Sequence, residues 1–350
     1  ITPEDIKKMI KKILLFLVLS NTVMADYSQN EVEVFISFMH TKHSYSKEHL
    51  QELFNEIKIE PRIKKYFKKA PERTLTWNGC KLNKKNCTNY KKLFVTKKNI
   101  EKGVIFWNQN KQSLLAAEKK YGVPPEIIIA IIGIESKYGL RTGTFKTFDT
   151  LASLSLGPNK GRRAKFYRDE LVNFLLMCRE NKLDPRKIKG SYAGALGKPQ
   201  FISSSYRHYA VDFNGDSVVD LWNSNDDVIG SVANYFKKNG WKSNKPIMSS
   251  LIYKNSSTSY IESESKKSYK PKTPYKIFMN NKIHTDVVIA ESTLLSVIGR
   301  EEQKGKIYSF GHKNFYVITR YNRSRLYALA VFTLSQQIKK HKSKSEQNNL

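Results

Sequence analysis

The segment IIIAIIGIESKYG, residues 127–139, is an almost unbroken apolar run that contains a single carboxylate, Glu135. Pro124, Pro125 and Glu126 precede it and are typical of a helix start, because proline is tolerated in the first turn and an acid suits the positive end of the helix dipole. Gly139 is typical of a helix end. The pattern predicts a helix over residues 125–138 with one strongly apolar face.

Glu135 lies on that apolar face. Ile128, Ile131 and Ile132 precede it by seven, four and three positions, which places all four side chains on one side of the helix. Apolar surroundings and the negative end of the helix dipole both oppose ionisation, so Glu135 is a candidate general acid near neutral pH. On this segment alone, a buried glutamate paired with Lys or Arg, or a helix end turned to water, is the more common situation.

The composition indicates an anionic partner. The chain has 350 residues, of which 61 are Lys or Arg and 31 are Asp or Glu, giving a net charge of +30. Such a surface attracts nucleic acid, anionic lipid or acidic cell-wall polymers. The lysines are scattered, and no nucleic-acid-binding motif accompanies them, so we expect no nucleic-acid partner. The 40% of hydrophobic residues can fill one large core or two to three small domains.

An export signal is predicted near the N-terminus. The segment MIKKILLFLVLSNTVMADYS begins at Met9 and combines two lysines, an apolar core over residues 13–19 and small residues before Asp26, where we expect cleavage. The apolar core is shorter than the ~20 residues of a membrane span. There is no cysteine near the cleavage point, so a lipid anchor is not indicated. We expect a periplasmic protein without a stable membrane anchor.

Two of the three cysteines are close together. Cys80 and Cys87 bracket a polar stretch, CKLNKKNC, and in an oxidising compartment they are candidates for a disulfide. A zinc site would need two more ligands at suitable spacing, which the neighbouring sequence does not offer. Cys178 lies in an amphipathic segment and is predicted to be a buried apolar residue.

The predicted elements are mainly helical, with a long helix near residues 98–120 and another near 166–181. Between Trp241 and Gly311 the chain becomes rich in Ser, Asn and Lys, with short β-prone runs at KIFMN and HTDVVIA and a flexible, charged loop. The predicted division is 1–25 (upstream residues and signal), 26–165 (N-terminal helices and the Glu135 helix), 166–241 (rest of the core), 242–311 (small β-rich insertion), 312–338 (strand and helix returning to the core) and 339–350 (disordered tail).

An acidic loop at residues 211–227, VDFNGDSVVDLWNSNDD, resembles the start of an EF-hand loop. Asp212, Asn214 and Asp216 occupy alternate positions, and the carbonyl of Val218 would follow as the seventh ligand. Ser217 and Asn223 depart from the usual glycine and glutamate, so a late acid such as Asp226 or Asp227 would have to complete the shell. A structural calcium ion, sodium, or an acidic turn without an ion are the alternatives.

A small-residue segment, GSYAGALGKPQF at residues 190–201, allows close approach of backbone or ligand. Its polar side chains Ser191 and Gln200 are able to face a cleft. Tyrosines elsewhere in the chain suit sugar binding, because each combines an apolar face with a hydroxyl group, although such residues are more often part of the core.

Six motifs occur in order between Tyr90 and Leu334: YGVPPEIIIAIIGIESKYG, ASLSL, GSYAGALGKPQF, SSSYRHYAVDFNGDSVVDLWN, DVIGSVANYFKKNGW and FYVITRYNRSRLYALAV. Together they closely resemble the bacterial lytic murein transglycosylase B family. The resemblance implies a mainly α, α+β fold, in which a lysozyme-like catalytic core carries a helical domain and a small β-rich domain. It also implies non-hydrolytic cleavage of the β-1,4 bond between N-acetylmuramic acid and N-acetylglucosamine, leaving 1,6-anhydromuramoyl ends.

The resemblance also assigns residues. Glu135 matches the family's single catalytic acid and base, and Ser191 should contact the substrate's acetamido group. The remaining substrate-binding candidates are Gln200, Tyr90, Tyr235, Tyr321, Tyr327, Asn322, Arg162 and Arg163, and the calcium candidates are Asp212, Asn214, Asp216, Val218 and Asp227.

Two departures from the family affect the groove. Lys198 and Pro199 stand where the family often has an aromatic and a small residue, and the loop with Arg162 and Arg163 is two residues longer. The expected partners are glycan strands, with other cell-wall enzymes as candidates, and no catalytic cofactor is expected. A water-using muramidase and a non-catalytic peptidoglycan-binding protein are the alternative functions.

Overall fold

The computed structural model describes residues 28–60, 62–63, 75–78, 88–157, 161–302 and 305–347. The predicted export signal and the predicted Cys80–Cys87 disulfide lie outside these residues. The described residues form two compact units, one within Ile1–Lys69 and Thr142–His208 and the other within Ala70–Arg141 and Tyr209–Leu350. The division predicted at 165/166 and 241/242 stays a prediction.

Helices dominate both units. They are α1 (Gln29–His43), α2 (Lys47–Asn55), α3 (Tyr90–Phe94), α4 (Lys97–Gln109), α5 (Lys111–Tyr121), α6 (Pro125–Ser136), α7 (Thr147–Ser155), α8 (Ala164–Glu180), α9 (Ser203–Tyr209), α10 (Asn225–Lys238), α11 (Thr258–Lys266), α12 (Tyr275–Asn280), α13 (Lys313–Tyr321) and α14 (Arg325–Gln347). The strands are β1 (Leu75–Thr76), β2 (Thr88–Asn89), β3 (Phe145–Lys146), β4 (Lys189–Gly190), β5 (Met248–Ser250), β6 (Thr273–Pro274), β7 (Leu294–Glu302) and β8 (Gly305–Gly311). Within the described ranges, no helix has the length and apolar character that crossing a bilayer requires.

The first unit is built around α7 and α8, which pack together. Phe35 of α1, Phe54 of α2 and Phe148 of α7 form edge-to-face ring contacts, with centroids 5.7 and 5.3 Å apart. Cys178 in α8 is buried and free, as predicted, and burial raises the pKa of its thiol to about 12.

The predicted apolar helix, α6, lies at the centre of the second unit. It packs against α4, α5, α10 and α14, so every side of the helix meets another helix. All residues from Ile127 to Ile132 are 1% exposed or less, which explains why the run is apolar around its whole circumference. Full burial of each isoleucine contributes about 1.5 to 3 kcal/mol. The helix is therefore a rigid support for the residue near its C-terminal end, Glu135.

The end of α6 is fixed by a three-residue turn. Lys137, Tyr138 and Gly139 all have positive φ, at 53°, 62° and 90°. The side chain of Tyr138 folds back beside the helix, and its hydroxyl donates to the carbonyl oxygen of Asn99 at 2.7 Å. A Cβ atom on Gly133 would lie 2.5 Å from this hydroxyl oxygen, so glycine is needed for the close approach.

A small β-rich region lies within residues 248–311, where a four-stranded antiparallel sheet has the order β5-β8-β7-β6. Its inner face packs with α11 and α12 through Phe278, Phe310 and Ile261, all fully buried.

The predicted strand KIFMN is wrong, since these residues lie in α12, and HTDVVIA contributes only a bridge at His284. The predicted flexible loop is also wrong in part, because it contains α11. A continuous buried run from Leu295 to Ile298 in β7 and the packing of this strand against α11 decide the strands here, beyond local propensity.

Three further predictions of secondary structure need correction. The strand predicted at the start of 312–338 is helix α13, because Phe315 and Ile318 are buried at helical spacing despite their β propensity. The tail predicted to be disordered is helical to Gln347, supported by the ion pair of Lys342 with Glu346. The long helix predicted over 98–120 is divided at Asn110 into α4 and α5.

Gly133→Ala is expected to destabilise the protein by about 1 to 3 kcal/mol, because the new methyl group displaces the anchored Tyr138 ring. Gly161→Ala is the control, since no atom lies within 4 Å of a Cβ at that position. Chemical denaturation measures both variants. Equal stability of Gly133→Ala and the wild type would contradict a tight fit of Tyr138.

Candidate active site

The Glu135 carboxyl group is the centre of the candidate site. The side chain is half-buried, and the hydroxyl of Tyr327 donates to Oε1 at 2.6 Å. Among the described residues, no lysine, arginine or second carboxylate forms a hydrogen bond or ion pair with it. Burial raises the pKa of Glu135 to about 7, and the hydrogen bond from Tyr327 opposes part of this rise. When Oε1 accepts from Tyr327, a neutral Glu135 carries its proton on Oε2, which is then able to donate.

Glu126, in the first turn of the same helix, shows the contrasting case. It is 5% exposed, and Lys339 of α14 lies 2.8 Å from its Oε1. This buried side chain has a cationic partner. The two glutamates of α6 therefore differ: Glu126 has a cationic partner, whereas Glu135 has none within the described ranges and is hydrogen-bonded to Tyr327.

Four tyrosines form a continuous aromatic cluster beside Glu135. The rings of Tyr327 and Tyr321 are nearly parallel, with centroids 6.4 Å apart. Tyr235 packs against Tyr321 at 4.8 Å and against Tyr209 at 4.6 Å. Tyr235 and Tyr327 are buried, whereas Tyr209 and Tyr321 are partly exposed, so the exposed edge of the cluster offers the aromatic surface that suits a sugar chain.

The hydroxyl groups of this cluster are anchored. Tyr235 donates to the carbonyl oxygen of Arg320 at 2.6 Å, which ties α10 to α13. Burial and the nearby Glu135 raise the pKa of Tyr327 well above its usual value, so its hydroxyl stays a donor. Tyr90, at the start of α3, lies near enough to add to this effect. Asn322 is exposed and follows Tyr321 directly at the end of α13.

The other predicted substrate contacts belong to the first unit. Ser191 and Gln200 lie in two successive turns: the Ser191 hydroxyl accepts from the backbone N–H of Ala195 at 3.0 Å, and Gln200 Nε2 donates to the Gly197 carbonyl oxygen at 2.7 Å. Gln200 has a φ of 53°, an unusual conformation for a residue with a side chain. Arg162 and Arg163 are exposed, and Arg163 lies over the ring of Phe166 at 4.5 Å. The roles of these four residues stay predictions.

The acidic loop has an internally bonded backbone. Asp212 Oδ1 and Oδ2 accept from the N–H groups of Gly215 and Ser217, each at 2.7 Å, and Asp216 Oδ1 accepts from Val218 N–H at 2.8 Å. Ser217 has a φ of 68°, so it adopts the left-handed conformation for which glycine is usual at this position. Asn214 Oδ1 accepts from the N–H of Asp216 at 3.2 Å.

Asp227, in the first turn of α10, binds the backbone of the acidic loop. It is fully buried, and its two oxygens accept from the N–H groups of Phe213 and Asp220, each at 2.8 Å. Within the described part of the chain, no three acidic, His or Cys side chains converge on a single point suited to a metal ion. The oxygens of the loop nevertheless keep free lone pairs, because a carboxylate oxygen accepts more than one bond. Oxygen ligands of this kind fit calcium.

Sequence reasoning missed several residues that shape the site. Tyr209 extends the aromatic cluster, and Tyr138 anchors the end of α6. For Tyr138 the signal was its position directly before the helix-ending Gly139. For Tyr209 no local signal separates it from a core tyrosine.

A half-buried, unpaired carboxyl with a pKa near 7, beside an aromatic wall, defines an enzyme site built for general acid–base catalysis on a sugar-like substrate. The chain matches the transglycosylase SLT domain family over residues 28–336. It is 37% identical over 328 residues to the membrane-bound lytic murein transglycosylase B of Escherichia coli (strain K12), an alignment that covers 89% of this chain and 84% of that protein. The chain therefore belongs to the transglycosylase SLT domain family and is an enzyme of the lytic murein transglycosylase class, which cleaves peptidoglycan.

Solved structures agree with this assignment. Lytic transglycosylase SltB1 from Pseudomonas aeruginosa superposes with a TM-score of 0.80 at 36% identity, covering 90% of this chain and 99% of that one. Escherichia coli lytic transglycosylase Slt35 in complex with calcium gives 0.76 at 34% identity, covering 93% and 99%. SltB3 from Pseudomonas aeruginosa, in complex with NAG-anhNAM-pentapeptide, shares the fold with a TM-score of 0.74 at 23% identity, covering 89% and 79%. The predicted lysozyme-like, mainly helical fold class is confirmed.

Tyr327→Phe is expected to raise the pKa of Glu135 further, because the lost hydrogen bond favours the ionised carboxylate. The protonated acid is the active form, so activity falls as pH rises through this pKa. The high-pH limb of the rate profile should move to higher pH by about 1 to 2 units, since a hydrogen bond to a charged group is worth about 1.5 to 3 kcal/mol. Tyr308→Phe, in β8, is the control. If the high-pH limb of Tyr327→Phe stayed in place or moved to lower pH, the hydrogen bond from Tyr327 to Glu135 would be contradicted.

Proposed function

We propose that the protein cleaves the β-1,4 bond between N-acetylmuramic acid and N-acetylglucosamine with Glu135 as its single general acid and base. The observation that carries the proposal is the pKa of about 7 that burial produces at Glu135 in the absence of a paired cation among the described residues. A group with this pKa is able to give a proton and take one back near neutral pH.

In the first step Glu135 donates the proton on Oε2 to the glycosidic oxygen, and the bond from that oxygen to the muramoyl C1 breaks. The carbonyl of the neighbouring 2-acetamido group stabilises the positive charge that develops at C1. In the second step the muramoyl C6 hydroxyl attacks C1, and the Glu135 carboxylate takes its proton. A 1,6-anhydromuramoyl end forms, no water is consumed, and Glu135 returns to its neutral state.

Among the residues that the structure describes, no carboxylate is paired with Glu135, which favours this reaction over hydrolysis. Water-using glycosidases place a second Asp or Glu across the scissile bond, either to activate water or to act as nucleophile. Glu126 is held by Lys339. Asp149, in the first unit, has its pKa raised to about 6 by burial, and Lys146 opposes this rise. We assign Asp149 no catalytic step. A muramidase and a non-catalytic wall-binding protein are the alternatives that product analysis separates.

The aromatic cluster and the exposed end of α13 are proposed as the surface that receives the sugars next to the cleaved bond. In this proposal Tyr90, Tyr235, Tyr321, Tyr327 and Asn322 belong to the substrate groove. Ser191 contacts an acetamido group, Gln200 lines a subsite, and Arg162 and Arg163 meet substrate carboxylates. The resemblance to the family supports these roles.

A structural calcium ion is proposed in the acidic loop, held by Asp212, Asn214, Asp216 and the carbonyl of Val218, with Asp227 closing the shell. The calcium complex of Slt35 supports this proposal. Calcium would order the loop and take no part in the reaction. We also propose export to the periplasm, on the basis of the signal predicted from Met9 to Ala25.

Glu135→Gln should abolish the release of anhydromuropeptides from purified sacculi by at least about 1000-fold, because glutamine supplies neither the acid nor the base. Mass spectrometry of the products reads the result. Glu126→Gln, in the first turn of the same helix and paired with Lys339, is the control and should retain the product type. Reducing muramoyl ends in the wild-type digest would favour a muramidase, and wall binding without cleavage would favour the non-catalytic alternative.

Calcium should raise the melting temperature of the wild-type protein, with a stabilisation of about 2.7 kcal/mol when free calcium exceeds Kd a hundredfold. Asp216→Asn keeps the acceptor for Val218 N–H but removes one charge, so it should weaken the effect. Asp169→Asn, an exposed position on α8, is the control. Thermal unfolding with calcium and with chelator provides the measurement. No calcium-dependent shift in the wild type would contradict the proposed ion site.

A further inference from the structure

A cavity lies in the second unit, at the opposite end of α13 from the aromatic cluster. Its volume is about 710 Å³, and His312, Lys313 and Tyr316 from the first turns of α13 line one side of it. None of the residues around Glu135 lines this cavity. Tyr321 lies at the other end of α13, about 12 Å along the helix from Lys313 at 1.5 Å per residue.

The cavity is strongly basic. Lys242, Lys245, Lys270 and Lys313 line it, all four are exposed, and no acidic residue is among the lining residues. Within the described part of the chain, none of these four lysines forms an ion pair. The potential of grouped cations at a concave surface attracts an anion.

The two acids of the adjoining loop are already engaged. Asp286 accepts from the hydroxyl of Ser250 at 2.7 Å, and Glu291 lies 4.0 Å from the Lys276 ammonium group. They do not line the cavity. Its positive charge is therefore available to a bound group.

Three cationic side chains gather around the ring of Tyr316. Lys270, Lys313 and Arg320 all lie over its ring, at 5.9, 5.4 and 5.1 Å from the centroid. Arg320 Nη1 also donates to the Tyr316 hydroxyl at 2.9 Å. The ring faces attract each cation, but the three cations repel one another. A bound anion would relieve that repulsion.

One wall of the cavity is apolar. Val288, Ile289 and Leu294 form it, and Val288 is fully exposed. A ligand that combines anionic groups with aliphatic side chains would contact both kinds of surface. The end of a peptide chain with a free carboxylate has this combination, and a cavity of this size suits a ligand of a few residues.

We propose that this basic cavity binds the carboxylate-bearing peptide stem of a peptidoglycan strand. This assignment rests on the proposed function, which brings such peptides to the protein. Charge-assisted contacts from the lysines hold the carboxylates, and the apolar wall packs against the peptide side chains. A peptide bound here tethers the strand on which Glu135 acts.

The concave shape favours a peptide end over the other anionic candidate, a lipid surface. A bilayer is flat and is contacted by protruding basic residues, whereas these lysines surround a recess. Binding to anionic vesicles is therefore the rival outcome that the experiment must separate.

The first experiment measures binding by isothermal titration calorimetry. The probes are a synthetic peptidoglycan pentapeptide with a free C-terminal carboxylate and the same peptide with a C-terminal amide. The wild type should bind the acid more tightly than the amide. Lys270→Glu/Lys313→Glu should weaken binding of the acid by at least about tenfold. Lys98→Glu/Lys119→Glu, at exposed helix positions outside the cavity, carries the same net charge and should bind like the wild type.

The second experiment measures cleavage of glycan strands with their peptides and of strands from which an amidase has removed them. The cavity variant should show a raised KM on peptide-bearing strands only. On strands without peptides we expect the rate of the variant to equal that of the wild type, which would show that the variant is folded and that Glu135 still acts.

Co-sedimentation with phosphatidylglycerol vesicles tests the lipid rival. Three results would overturn the proposal: equal affinity for acid and amide, equal losses of peptide binding in the cavity and control variants, or a cavity variant that loses vesicle binding while its peptide binding stays intact. Failure of the wild type to cleave either kind of strand would instead refute the proposed function. The calorimetry needs no cleavage and decides on the cavity separately.

Discussion

Burial of the Glu135 carboxyl group without a cation beside it is the interaction on which the catalytic chemistry depends. A carboxyl moved from water to an apolar environment either finds a positive partner or keeps its proton. Glu126 follows the first course through Lys339, and Glu135 follows the second. The difference arises from the neighbours that the two ends of α6 meet, since both residues belong to one helix.

The raised pKa of Glu135 makes the stability of the folded protein depend on pH. Because the pKa of Glu135 is higher in the folded than in the unfolded chain, the folded state holds its proton more tightly. The resulting stabilisation, relative to an ionised group, is complete at pH values below the unfolded pKa and is lost as pH rises through about 7. The mainly apolar packing of α6 on four helices provides the stability that tolerates this loss. The hydrogen bond from Tyr327 limits the rise in pKa and fixes which oxygen carries the proton.

Local patterns predicted the central helix, its boundaries to within two residues, and the direction of the Glu135 pKa, because the isoleucines and the acid that decide them are neighbours in sequence. They could not predict what packs around that helix. Tyr327 is 192 residues away in the chain. Its place in the substrate groove was assigned only through the family resemblance, its hydrogen bond to Glu135 was not predicted, and neither was the pairing of Lys339 with Glu126. The errors have the same origin: Phe315 and Ile318 favour a strand locally, but burial against the second unit's core makes them helical.

The most direct test is a carbon-13 NMR titration of the Glu135 side-chain carboxyl, assigned by its absence in Glu135→Gln. Burial without a paired cation predicts a midpoint near pH 7, well above the 4.5 of an ordinary glutamate. A midpoint at or below 4.5 would show an ionised, solvated or cation-paired carboxylate, and general-acid catalysis by this residue would be contradicted.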